Sequence, residues 1–204
     1  MARPKQQAAR RREMVLAASA AICERGLTGL RIKDVAERAG LSAGLVSYYY
    51  SDLDDLVREV HESAVDRFHR ARHDAVRDIV DPVQRLRRTV YLGIPESSDD
   101  QLCQVLYELH LHAARSPAHS VLMRTLFELE VSLYVCVIEQ GVDAGEFDGR
   151  GRVQSIATTT VLLEDAYGLH LVGRNEAVSP TSARNGVLDY LAGALSCPMS
   201  AFVD

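Results

Sequence analysis

Tryptophan is absent from this 204-residue chain, and of its 23 basic residues only Lys5 and Lys33 are lysines. Long apolar runs are missing as well. No stretch of ~18 apolar residues occurs, so no membrane-spanning helix is expected. No segment alternates apolar and polar residues over a strand's length with hairpin signals at both ends, which argues against a sheet. Proline is confined to boundaries, at Pro4, Pro82, Pro95, Pro117, Pro180 and Pro198. The four cysteines (Cys23, Cys103, Cys136, Cys197) are far apart and form no CxxC. They read as reduced, buried thiols of a cytoplasmic protein. The basic N-terminus runs into MVLAASAAICE without a cleavage site, so an amphipathic helix is expected rather than a signal peptide. Catalytic signatures are also lacking: no GxSxG, no P-loop, no GxGxxG after a strand and no HExxH. No enzyme activity and no cofactor are expected. His110 and His112 stand two apart, which puts their rings on different faces of a helix. Glu108 and His112 are four apart, a pairing common by chance, so no metal site is expected.

What is present is an ordinary globular mix, 47% apolar and 25% charged, enough for one large domain or two small ones. The net charge of −5 hides an asymmetry. Residues 1–50 carry nine of the 23 Lys/Arg and four of the 28 Asp/Glu, a head about five charges positive on a body about ten negative. Such a head suits a polyanion partner; chance clustering of surface charge is the bland alternative.

Nearly everything reads as helix. Val15, Leu16, Ala18 and Ile22 repeat at helical spacing, and Gly26 ends that segment. Ile32, Val35 and Ala36 mark one face of a short second helix closed by Gly40. Ser42 is a good N-cap for a third, running to about Tyr50. A fourth begins near Asp52 and continues through Leu56, Val60, Ala64 and Phe68 to about Val80, its acidic first turn suiting the helix dipole. Further helices are expected over 82–94, 99–115, 118–141, 151–173 and 181–195, with GVDAGEFDGRG as a loop. The fold class is all-α with about nine helices. Two domains are expected, a basic head over 1–52 and a helical body over 53–204.

The stretch RIKDVAERAGLSAGLVSYYY, residues 31–50, is the informative one. Two short helices joined at a tight turn containing glycine, the second capped by serine, are the sequence form of a helix-turn-helix. Ala36 is small where the helices cross, Gly40 allows a positive φ, and Leu41 plugs the core between them. Ser42 caps the third helix, whose amide end can face a phosphate. Ala43 and Gly44 let a backbone approach closely, and Val46 faces inward. Ser47, Tyr48 and Tyr49 are left toward a DNA groove or its walls, where tyrosine hydroxyls reach phosphates or base edges. Tyr50 falls back toward the first helix.

On these residues the chain resembles the TetR family of transcriptional regulators. The resemblance rests on Gly26, IKDVAERAG at 32–40, LSAGLVSYYY at 41–50 and Leu56. Ser47 followed by tyrosine is similar to the branch of choline-responsive BetI-like repressors. Two positions depart from the family pattern. Arg31 stands where a Thr or Ser cap is usual, and Leu53 where a lysine is usual. Arg31, Lys33 and the basic arm (Arg3, Lys5, Arg10, Arg11, Arg12) are expected to compensate in phosphate contacts. The expected DNA-binding set is Arg11, Arg31, Lys33, Ser42, Ala43, Gly44, Ser47, Tyr48 and Tyr49. More loosely, LYELHLHAARSP at 106–117, EQGVDAGEFDGRG at 139–151 and LLEDAYGLHL at 162–171 resemble BetI-like C-terminal segments. The resemblance implies a homodimer joined through helices 151–173 and 181–195, and a small-molecule effector held among the helices of the body.

Polar residues within apolar helices are the candidates to line that site: Tyr107, Glu108, His110, Glu128, Tyr134, Asp165 and Tyr167, with His112, Glu164 and His170 nearby. An acidic and aromatic set suits a cationic or amine ligand. The expected function is a homodimeric repressor that binds double-stranded, pseudo-palindromic DNA and is released by an effector. An effector-independent DNA-binding regulator is one alternative. A helical small-molecule-binding protein or enzyme with a merely structural head is another, disfavoured by the basic head and the turn spacing.

Overall fold

The structure, a computed structural model, describes residues 2–149 and 151–202, with side chains from residue 6 onward. The described residues form α1 (Ala2–Arg25), α2 (Ile32–Ala39), α3 (Ala43–Tyr49), α4 (Leu53–Val76), α5 (Pro82–Gly93), α6 (Gln101–Ala113), α7 (Pro117–Asp143), α8 (Val153–Val172) and α9 (Pro180–Ala194), then a 3-10 turn at Met199–Phe202. No strand occurs among the described residues. The all-helical architecture with nine α-helices is the one expected. Helix α1 takes in the basic arm from Ala2 onward. One boundary differs in an instructive way. Helix α7 does not stop at Gly141 but runs on to Asp143. A Cβ at Gly141 would overlap the Phe147 ring, so that glycine serves a packing contact and not a helix end.

The chain divides into two compact units, residues 1–67 with 101–123 and residues 68–100 with 124–204. The boundary expected at 52 falls inside the first unit. Two features put it there: the first half of α4 buries Leu56, Val57 and Val60, and α6 packs on α1.

In the first unit α1 contributes Met14, Val15, Ala18 and Ile22 to the core, while Leu16 is half exposed. Helix α2 packs on α1 through Val35 and Ala36, and α3 packs on α2. The turn between α2 and α3 is built by Gly40 in the left-handed region, φ 65°. The Leu41 N–H then reaches back to the Ala36 carbonyl at 2.9 Å, closing the helix end. At the other end of α2 the Arg31 side chain makes no cap. Instead the buried Asp34 carboxylate accepts the Arg31 N–H at 3.0 Å and lies 3.3 Å from the Arg25 guanidinium. Asp34 thus supplies half of a capping box, so the departure at position 31 leaves the helix start held.

The second unit packs α5 and α8 against α9, with Leu86, Val90, Ile138, Ala157, Val161, Leu188 and Leu191 in its core. A charged cluster is sealed inside. Arg72, 2% exposed, is ion-paired to Glu130 and donates to Glu164 at 3.0 and 3.1 Å and to the Thr89 carbonyl at 2.9 Å. The Tyr134 hydroxyl donates to Glu164, and His69 lies 3.0 Å from Glu130. A Cβ at Gly93 would overlap the Glu164 carboxylate, so only glycine admits α5 this close. One guanidinium faces two buried carboxylates. Burial pushes the Glu164 carboxyl up, from an ordinary 4.5 to about 7, with Arg72 pulling the other way and Glu130 adding to the rise.

Two outcomes follow. Gly40→Ala meets open space, so its cost is backbone strain alone, about 1–2 kcal/mol. Urea unfolding should show the loss as a lower midpoint at unchanged slope. For Glu164, the folded state holds its proton between pH 4.5 and about 7 while the unfolded chain has released it. Its contribution therefore makes stability fall as pH rises through that window. Glu164→Gln should flatten this limb of the stability–pH curve; a limb unchanged in the variant would mean that Glu164 does not titrate there.

Candidate nucleic-acid interface

Helix α3 has seven residues. Ser42 caps it, its hydroxyl accepting the Leu45 N–H at 3.2 Å. Within the helix Val46 alone is fully buried. Ser42, Ala43, Gly44, Ser47 and Tyr48 are exposed, Tyr48 by 79%. A Cβ at Gly44 would meet nothing within 4 Å, so the surface is open there. Tyr49 is half-buried and meets Tyr48 edge to face, ring centroids 5.6 Å apart. Arg31 and Lys33 stand exposed at the start of α2, with Arg12 exposed on α1.

Tyr50 turns the other way and is 2% exposed. Its hydroxyl donates to Glu59 at 2.8 Å, and the Arg11 guanidinium lies 4.8 Å from its ring centre. Burial and Glu59 push the phenol up, so it remains a neutral donor. Arg11 is held in an ion pair with Glu59 at 2.7 Å, which ties α1 to α4. The side chains of Arg3 and Lys5 lie outside the described residues. A recess of about 260 Å³ beside the tyrosines is lined by Gln6, Gln7, Arg10, Leu45, Tyr48 and Tyr49. Gln6 and Gln7 were not singled out from the sequence; the signal was their place one turn before Arg10 on the same helix.

The residues expected to line an effector site are dispersed. Tyr107, Glu108 and His110 belong to α6 in the first unit. Tyr107 is half-buried and His110 exposed. The Glu108 carboxylate accepts the Leu27 N–H at 3.2 Å, next to the Gly26 turn. In the second unit Glu128 and Asp165 are exposed, Glu128 lying 3.8 Å from Arg124. Tyr167 is half-buried, its hydroxyl filling the space left by Gly186. Tyr134 is the one member of the set that is fully buried, inside the Arg72 cluster. An open groove of about 580 Å³ on this unit is lined instead by Ser132, Val135, Cys136, Glu139, Gln140, Asp143 and Gln154. His112, set aside on spacing, faces Asp54 and not His110.

The arrangement at α2–α3 is that of a surface helix presenting small and hydroxylic side chains between cations. Residues 15–60 match the family model described as bacterial regulatory proteins, tetR family. The chain is 22% identical to the HTH-type transcriptional repressor KstR2 of Mycobacterium tuberculosis over 138 residues, 68% of this chain and 69% of the relative. It is 25% identical to the HTH-type transcriptional regulator BetI of Brucella canis over 194 residues, 94% of both chains. Its fold is that of a transcriptional regulator from Saccharomonospora viridis solved in complex with choline, with a TM-score of 0.85 at 20% identity, covering 92% of this chain and 98% of that one. Residues 15–60 thus carry a helix-turn-helix of the tetR-family type, and over most of its length the chain is similar to HTH-type transcriptional regulators and repressors.

Proposed function

We propose that the protein is a homodimeric repressor that lays α3 in the major groove of a pseudo-palindromic operator and leaves it when a small cation binds. The observation that carries the reading is the division of α3 into one buried anchor, Val46, and an outer surface of Ser42, Ala43, Gly44, Ser47 and Tyr48. In this reading Ala43 and Gly44 admit the DNA backbone, Ser47, Tyr48 and Tyr49 meet base edges and groove wall, and Arg31 and Lys33 hold phosphates. Arg11 acts from behind, through its ion pair with Glu59. Two such heads sit about 34–36 Å apart, one DNA turn. Such a protein works in the cytoplasm, where the chromosome is.

The dimer reading is supported by α8. Leu162 and Leu169 are each 54% exposed, seven residues apart and so on one side of the helix, with exposed Ala166 between them. Pairing this side and α9 with a second copy would remove that apolar surface from water. The effector reading is supported by the choline bound to the structural relative. The buried acid–aromatic cluster of this chain already holds a cation, Arg72, beside Tyr134, Glu130 and Glu164. A cationic effector is proposed to exchange with that guanidinium, which would release Arg72 on α4 and so alter the helix that follows the reading head.

Fluorescence anisotropy against the upstream intergenic DNA and a scrambled duplex tests the first reading. Binding should be sequence-selective and weaken with salt, and Lys33→Ala should reduce the salt slope by about 1. Tyr48→Ala should lower affinity for the cognate duplex more than for the scrambled one. Equal affinity of the wild-type protein for both duplexes overturns the operator reading. Choline and related amines added to the complex should lower the anisotropy. In sedimentation, Leu162→Glu with Leu169→Glu should convert a dimer to a monomer; an unchanged dimer places the interface elsewhere.

A further inference from the structure

Three side chains far apart in sequence converge in the first unit, outside the α3 surface. Asp54 lies in the first turn of α4, His112 at the end of α6 and His119 at the start of α7. Their ligand atoms all lie within 4.8 Å of one another. The Asp54 Oδ1 is 3.6 Å from His112 Nε2 and 3.8 Å from His119 Nε2. The two imidazoles stand nearly perpendicular, at 79°, with ring centres 4.7 Å apart. His119 is 0% exposed, yet its Nε2 has no hydrogen-bond partner among the described residues, and neither has the buried Nε2 of His112.

The other nitrogen of His119 is firmly placed. Its Nδ1 lies 2.9 Å from the Nδ1 of the buried His61. The Nε2 of His61 lies 3.2 Å from the Met123 sulfur, which can only accept. His61 therefore carries its hydrogen on Nε2 and accepts at Nδ1, so His119 donates from its own Nδ1. That leaves the His119 Nε2 as a bare lone pair aimed at a carboxylate. The His119 lone pair and the Asp54 carboxylate oxygen, 3.8 Å apart, thus present two electron-pair donors to the same point, as the ligands of a cation do.

We infer that Asp54, His112 and His119 form a binding site for a divalent transition-metal ion, with His61 holding His119 in the ligating tautomer. Two imidazoles and one carboxylate are a donor set for Zn²⁺, Ni²⁺ or Co²⁺, and they leave a fourth position for water. Bonds of about 2.0–2.1 Å at tetrahedral angles separate ligand atoms by about 3.3 Å. The 3.6 and 3.8 Å separations from Asp54 are within about half an ångström of that, and the two imidazole nitrogens, within 4.8 Å of each other, draw together when an ion binds. The His61–His119 hydrogen bond is the outer partner that ligating histidines use to fix their rings. The ion clamps the start of α4, which follows α3 directly, to the α6–α7 corner. Helical spacing conceals the site, because its members are 58 and seven residues apart and come from three helices.

The test uses untagged, metal-stripped full-length protein. Titrated Co²⁺ should bind at one equivalent per chain and develop visible absorption bands of a low-symmetry site. Zn²⁺ should compete for the site and raise the thermal unfolding midpoint. His112→Ala and Asp54→Asn should each weaken metal binding about tenfold or more, while His110→Ala, at an exposed neighbour on α6, leaves it unchanged. Asp54 is exposed, so Asp54→Asn stays folded and decides the matter even where His112→Ala loses stability. No binding at stoichiometric metal, or binding equally tight in Asp54→Asn and wild type, overturns the assignment.

Discussion

A helix of seven residues cannot hold itself together in water, because nucleation costs more than so few hydrogen bonds return. The helix-turn-helix depends on meeting that constraint from outside α3. Ser42 fixes the first turn, Val46 is drawn into the core, and the chain just beyond is anchored by Tyr50 on Glu59 and Arg11. Gly40 sets the angle at which α3 leaves α2. With both ends and one inner side chain held, Ala43, Gly44, Ser47 and Tyr48 are left to face outward. The three consecutive tyrosines divide along this line, Tyr48 outermost, Tyr49 at the rim and Tyr50 structural.

The second unit solves a different problem. Its core accepts a guanidinium and two carboxylates, an arrangement that stabilises only when nearly all hydrogen-bonding groups are matched. Thr89, Tyr134 and His69 supply most of the matching, and Gly93 lets α5 close over it. One guanidinium between two buried carboxylates leaves an excess negative charge, and burial answers it by pushing the Glu164 carboxyl up. The cluster differs in kind from the packing of α5 with α9, where apolar side chains dominate and Arg184 reaches the Tyr91 carbonyl from the edge.

Much of this was legible in order along the chain. Helix caps, turn glycines and apolar periodicity relate residues three or four apart, and so Gly26, Gly40, Ser42 and Val46 could be assigned their roles without coordinates. The same logic misread Gly141, because the reason for that glycine is the ring of Phe147, six residues on and folded back. It also read Arg31 as a missing cap, while Asp34 supplies the hydrogen bond from the other side of the box. The acidic and aromatic residues of α6, α7 and α8 were recognised as unusual, but their types alone could not say that Tyr134 is sealed in while His110, Glu128 and Asp165 are exposed.

By itself, then, the sequence determined the all-helical architecture, the helix-turn-helix and its outward-facing residues, since these follow from local spacing, capping and charge. Only the tertiary structure decided which groups meet across helices: Arg72 between Glu130 and Glu164, Tyr50 on Glu59, and Asp54 beside His112 and His119. The physical reason is that these pairings are set by how whole helices pack, and the energy that selects the packing is spread over an apolar core in which no short stretch of residues names its partner.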